Sequence, residues 1–186
     1  RCLLTHMPSA RDLNVANYVD ALTYNQRIIL EEADKHQSDL CEKVNADVHD
    51  VAKGMGLDKR IGVKFLHPGP GYGGSCFPKD TLALVKTAEF FESDVPLVSG
   101  VVRYNSKRKQ DMAQRVIDAM KGDVEGKKIA ILGLAFKPET DDMRESPALD
   151  IIPRLQENGI KVSAFDPVAM NEAKKLLPNI VIYLSK

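Results

Sequence analysis

Apolar residues recur at helical spacing through the first two thirds of the chain and in short uninterrupted runs through the last third. Val15, Val19, Leu22, Ile29, Ala33, Leu40 and Val44 follow one another at steps of three, four or seven, which predicts helix between about Arg11 and Asn45, with the phase broken around Asp34–Ser38. Asp47 to Gly54 reads as a short helix with an aspartate N-cap and a glycine C-cap. Ile61–Ser75 holds Gly62, Gly69, Gly71, Gly73, Gly74, Pro68 and Pro70, a composition that leaves neither helix nor strand and predicts an ordered loop or a lid. Leu82, Val85, Ala88 and Phe91 then predict a helix over Asp80–Phe91. Pro96 opens another, Leu97–Met120, with apolar Val101, Val102, Met112, Val116 and Ile117 around a polar middle, Asn105–Gln110.

The period changes at Lys127. Lys127–Gly133 is a short apolar run ending in glycine, the pattern of a buried parallel strand. Ser146-Pro147 opens a helix to about Asn158, with serine as N-cap and proline in the first turn, and Gly159 ends it. Lys161–Phe165 and Ile180–Leu184 read as two further strands around a helix at Met170–Leu177. The fold class expected is α/β: a helical central region, residues 1–122, followed by a truncated Rossmann-like β-α-β-α-β half, residues 123–186. Half of a doubly wound sheet leaves an open strand edge, so the expectation is that the sequence is a piece of a longer protein.

Composition narrows the function classes. The 186 residues are 44% hydrophobic, enough for a core, and Lys plus Arg equal Asp plus Glu at 26 each, so no net field draws the chain to nucleic acid or anionic lipid. No apolar run approaches the roughly 18–20 residues of a membrane span, and the N-terminal apolar stretch is too short for a secretory signal. Cys2, Cys41 and Cys76 are odd in number and far apart, which argues against a disulfide framework and for a reducing, cytoplasmic setting. His6, His36, His49 and His67 include no pair at i, i+4, so no metal site is expected.

Three places carry candidate chemistry. In Gly71-Tyr-Gly-Gly-Ser-Cys-Phe-Pro-Lys-Asp80 the glycines let backbone approach a ligand, and Tyr72 could stack on a base or sugar ring. Cys76 lies just before the predicted helix, where a helix N-terminus and Lys79 lower a thiol pKa and favour a nucleophile. Asp80 could orient a water. A buried, inert cysteine in a glycine-rich turn is the competing reading. The turn Gly133–Ser146 sits where a dinucleotide fingerprint would, yet keeps only Gly133 of it. Its Lys137 and Arg144 suit phosphate or carboxylate, unless Glu139, Asp141, Asp142 and Glu145 neutralise them. Asp166, at the end of the second strand, is either a ribose ligand or, the favoured reading without the glycine motif, a strand-end cap.

Taken together, the runs Asp39-Leu-Cys-Glu-Lys-Val, Asp58-Lys-Arg-Ile-Gly62, Gly69–Asp80, Lys128–Lys137 and Thr140–Ser146 resemble the UDP-glucose/GDP-mannose dehydrogenases, over about Asp39–Tyr183. The resemblance implies a central helical dimerisation region and part of a C-terminal UDP-sugar domain, from an enzyme whose NAD-binding domain lies outside this sequence. It implies oxidation of UDP-glucose to UDP-glucuronate with NAD, through a cysteine thiohemiacetal and thioester. Its alternatives are a non-catalytic UDP-sugar-binding and dimerisation module, and another nucleotide sugar such as GDP-mannose or a UDP-N-acetyl sugar. By the same resemblance Cys76 is the nucleophile and Asp80 the acid tied to water activation. Phe65, Gly71, Tyr72, Gly73, Phe136 and Lys137 meet the substrate, and Arg60 reaches the substrate of the neighbouring subunit of a homodimer. Lys79 and Arg144 meet NAD. The family pairs a lysine with an asparagine in its first central helix; Leu13 stands at the lysine's place, four residues before Asn17, and His67 stands where some members have lysine.

Overall fold

The computed structural model describes residues 35, 37–64, 66–177 and 179–182. The helix expected from Arg11 falls mostly outside the described residues, and its last part, 37–44, is helical. Next come α1 (Val48–Gly56), α2 (Cys76–Phe90) and α3 (Pro96–Ala119). The α/β part follows as β1 (Lys128–Leu132), α4 (Ala148–Glu157), β2 (Lys161–Phe165), α5 (Met170–Leu176) and β3 (Val181–Ile182). Contacts divide the chain into two compact units. One is Arg1–Gly69 with Lys79–Arg103, and the other is Pro70–Pro78 with Tyr104–Lys186.

Local chemistry explains most boundaries. Asp47 caps α1 by accepting the His49 N–H at 2.8 Å. That helix runs two residues beyond Gly54 and ends at Leu57. α2 begins four residues earlier than the apolar pattern predicts, because Pro78 falls in the first turn, where a missing N–H costs no helical hydrogen bond. Cys76 is thereby the first residue of the helix. Between α1 and α2 the described residues 57–64 and 66–75 form turns and loop, as the glycine and proline content predicts.

In the second unit the three strands are parallel in the order β1-β2-β3, with Lys128 opposite Lys161 and Leu132 opposite Phe165. This is the expected half of a doubly wound sheet. The core lies between β2 and the helices: Val162 and Ala164 from β2, Ile152 and Leu155 from α4, Ala173 from α5, and Ala113 and Ile117 from the C-terminal half of α3. Burying Ile152 and Leu155 completely contributes about 1.5–3 kcal/mol each. β1 departs from the expected buried strand. Ile129 and Ile131 pack on the core, whereas Lys128, Ala130 and Leu132 are exposed, so only one face of β1 is covered among the described residues. No helix among the described residues is long and apolar enough to cross a membrane.

Candidate active site

The glycine-rich loop is built against the turn between β1 and α4, and three glycines make the fit possible. A Cβ on Gly73 would lie 2.4 Å from the Glu145 carbonyl oxygen, and one on Gly74 would lie 2.7 Å from the Phe136 ring. The Gly74 N–H donates to the Arg144 carbonyl at 2.7 Å. Gly71, at φ +141°, passes over α3, where a Cβ would meet Lys109 Cγ at 2.8 Å and Asn105 Oδ1 at 2.9 Å. Asn105 holds the next residue at both ends. Its Oδ1 accepts the Tyr72 N–H at 2.8 Å and its Nδ2 donates to the Tyr72 carbonyl at 3.2 Å.

Tyr72 itself is buried, with its ring edge-on to Phe77 at 5.9 Å. That removes the stacking platform expected from the sequence. The ring anchors the loop against the start of α2.

Past the loop, Cys76 carries an exposed thiol, with its Sγ 3.7 Å from Ser75 Oγ. Cys41, by contrast, is buried. Asp80 follows Cys76 by one turn of α2. Asp80 Oδ1 is buried and accepts no hydrogen bond among the described residues; Lys79 Nζ lies 3.4 Å from it, outside hydrogen-bonding geometry. Asp80 thus presents a shielded carboxylate oxygen beside the Lys79 ammonium.

The C-terminal ends of β1 and β2 open into a cavity of about 660 Å³, in the crevice where open α/β sheets bind ligands. Gly71, Phe136, Lys137, Thr140, Ser146 and Val168 are among its lining residues. Lys137 Nζ lies 5.3 Å from the centre of the Phe136 ring. Ser146 donates to the Leu134 carbonyl at 2.7 Å and accepts the Ala148 N–H at 3.3 Å; the helix starts one residue later than predicted, with Pro147 and not Ser146 at the cap position. Asp166 is the strand-end cap. Its Oδ2 accepts the N–H groups of Leu134 and Ala135, and its Oδ1 those of Val168 and Ala169. Burial pushes its pKa up, but the four donors outweigh that and hold it down to about 2. With both oxygens so engaged, Asp166 is a frame for the cavity floor.

Arg144 is two-thirds exposed, and its guanidinium grips Asp142 in a bidentate pair at 2.7–3.1 Å, which holds the Asp142 carboxyl below its ordinary value. Arg60, in the first unit, makes the same kind of fork on Asp58 and is 90% exposed. The side chain of Asp58 is likewise held low by Arg60. Phe65 lies outside the described residues. The structure thus brings Gly71, Gly73, Phe136, Lys137 and Arg144 into one unit with Cys76. Arg60, Lys79 and Asp80 belong to the other.

Asn105 and Lys109 were legible only as a polar interruption in an amphipathic helix. Both are buried, and Lys109 Nζ donates to the Glu145 carbonyl at 2.9 Å. Their spacing of four residues, on one face of a helix that also carries core alanine and isoleucine, is the signal that could have marked them. No group of three or more His, Cys, Asp or Glu among the described residues is arranged to hold a metal.

Comparison with known proteins converges on one family. Residues 35–107 match the model of the UDP-glucose/GDP-mannose dehydrogenase family central domain, and residues 130–186 match that family's UDP binding domain. The UDP-glucose 6-dehydrogenase of Rhizobium meliloti (strain 1021) is 58% identical over 143 residues, covering 77% of this chain and 33% of that protein. The UDP-glucose 6-dehydrogenase YwqF of Bacillus subtilis (strain 168) is 49% identical over 146 residues, covering 78% of this chain and 33% of its own length. A UDP-glucose dehydrogenase structure from Pyrobaculum islandicum superposes with a TM-score of 0.85 at 32% identity, over 91% of this chain and 39% of that one. The chain therefore spans about a third of the length of the curated relatives it matches. With two domain models of one family accounting for well over half of its residues, the chain belongs to the UDP-glucose/GDP-mannose dehydrogenase family.

Proposed function

We propose that this chain carries the substrate-binding and covalent half of a UDP-glucose 6-dehydrogenase that oxidises UDP-glucose to UDP-glucuronate. The supporting observation is the seating of the Gly73-Gly74 backbone on the carbonyls of Arg144 and Glu145. It joins the segment leading to an exposed thiol to the wall of a cavity at the strand ends. A sugar nucleotide has this bipartite shape: a nucleoside diphosphate to be held and a sugar carbon to be reached.

In this reading Gly71, Phe136 and Lys137 hold the UDP-sugar, and Tyr72 and Gly73 keep the loop closed around it. NAD, when bound, supplies the acceptor for the two hydrides that separate a primary alcohol from a carboxylate. Lys79 and the exposed Arg144 are cations that fit contacts to its phosphates. The chain's own chemistry concerns the carbon. At the aldehyde level Cys76 Sγ bonds to C6 and the former carbonyl oxygen takes a proton, giving a thiohemiacetal that keeps C6 in position. At the thioester level water attacks C6, the C–S bond breaks, and the sulfur leaves with the electron pair. Asp80 accepts the proton of that water through its shielded oxygen. Arg60 reaches the substrate of a partner subunit across a homodimer, and Phe65 contributes to the sugar-nucleotide loop.

The test is protection of Cys76. Iodoacetamide labels Cys76 faster than Cys41, UDP-glucose slows labelling at Cys76 in a saturable manner, and GDP-mannose does not. Equal labelling of the two cysteines, or labelling indifferent to UDP-glucose, refutes the assignment.

A further inference from the structure

The carbonyl of Glu145 is used twice. Gly73 packs against it so closely that a methyl group would not fit, and Lys109 donates a 2.9 Å hydrogen bond to it. The side chain of Lys109 is 5% exposed, lines no part of the cavity, and also faces the carboxylates of Glu145 at 3.7 Å and Asp150 at 3.5 Å. Burying an ammonium is costly unless it is paired and hydrogen-bonded, so an apolar residue of similar length would fill this space at lower cost. One helical turn earlier, Asn105 clamps the backbone of Tyr72. A single face of α3 thus holds both the loop that leads to Cys76 and the turn that walls the cavity.

We propose that Lys109 is a positioning residue for Cys76. It fixes the register between the cysteine loop and the Phe136–Ser146 turn, so that occupation of the cavity is transmitted to the thiol. The inference rests on the UDP-sugar reading above and goes beyond it in naming the residue that couples the two parts. Without Lys109 the Glu145 carbonyl loses its charged donor, and the turn is free to slide against Gly73.

The experiment uses the full chain and its Lys109→Met and Lys109→Arg variants. Calorimetry gives the Kd for UDP, and mass spectrometry gives the rate of Cys76 carboxymethylation with and without saturating UDP-glucose. The expected result is UDP affinity within about threefold of native in Lys109→Met, with the protection of Cys76 reduced about tenfold, the scale of one lost charge-assisted hydrogen bond. Lys109→Arg, which keeps the cation, restores most of the protection. Native protection in Lys109→Met overturns the proposal. So does equal loss in both variants together with a lowered thermal transition, which would make Lys109 a determinant of folding only. Should Lys109→Met not fold, the shorter and uncharged Lys109→Gln is judged by the same criteria. Absence of protection in the native chain refutes the UDP-sugar reading itself, and the inference with it.

Discussion

Gly73→Ala isolates the contact on which the site depends. The substitution adds one carbon at a position whose backbone is outside the left-handed region, so conformational strain is not involved. The new Cβ would lie 2.4 Å from the Glu145 carbonyl oxygen, 2.8 Å from its carbon and 3.1 Å from Phe136 Cβ. The first two are backbone atoms, which cannot rotate away as a side chain does. Bringing the shortest contact from 2.4 Å to a tolerable 3.0 Å requires loop and turn to separate by about 0.6 Å, a displacement typical of overpacked sites costing ~1–3 kcal/mol. The same movement stretches the Gly74 N–H bond to the Arg144 carbonyl, worth ~0.5–1.5 kcal/mol. Alanine returns ~0.4–1 kcal/mol by restricting the unfolded chain. The net expectation is destabilisation of about 1.5–3 kcal/mol, read as a lower urea midpoint at unchanged slope. Protection of Cys76 by UDP-glucose falls with it. Gly69→Ala is the control: nothing lies within 4 Å of its Cβ and its φ is not positive, so it stays within about 0.5 kcal/mol of native. A native midpoint and native protection in Gly73→Ala would refute the argument that the loop is held by close backbone packing.

Two further expectations follow from the same structure. Gly54 lies inside α1 with open space around its Cβ, so Gly54→Ala stabilises the chain by about 0.5–1 kcal/mol in urea unfolding, and a loss would contradict that environment. Asp166 has a folded pKa of about 2 against an ordinary 3.8, so the stability it contributes is complete above pH 4 and is lost as pH falls from about 4 through 2. That contribution is of the order of 2 kcal/mol. Asp166→Asn should remove this acid-sensitive component and weaken UDP binding at neutral pH by releasing the Leu134–Ala135 turn; a variant with the native acid limb would show that other carboxylates carry it.

Much of the architecture follows from local pattern. The apolar runs at Lys128–Leu132 and Lys161–Phe165, with Ser146-Pro147 and Gly159 bounding the helix between them, specify a β-α-β unit because strand, cap and turn chemistry act over a few residues. The start of α2 lies four residues before the predicted one for an equally local reason, since the apolar spacing begins only at Leu82 while a first turn tolerates Pro78. The sequence also made the cysteine loop stand out, through glycines whose spacing has no use in a helix or strand. What it could not display is which atoms those glycines make room for.

Those atoms are backbone carbonyls and helix side chains brought from some 30 to 70 residues away. Tyr72 has the polar tip and flat ring of a ligand contact, yet the fold buries it against Phe77 and binds its peptide group to Asn105, 33 residues distant. Lys109 has the composition of a solvated helix residue, yet it is buried against Glu145, 36 residues on. Asp166 was ambiguous between ribose ligand and cap until four N–H groups from two separate segments claimed its oxygens. The residues alone determined the order of elements, the β-α-β-α-β half and the candidate nucleophile, Cys76. Only the tertiary structure decided that the loop before Cys76 is held on the cavity wall by Asn105, Lys109 and the Glu145 carbonyl, because a backbone acceptor and a buried cation leave no periodic trace in the sequence that pairs them.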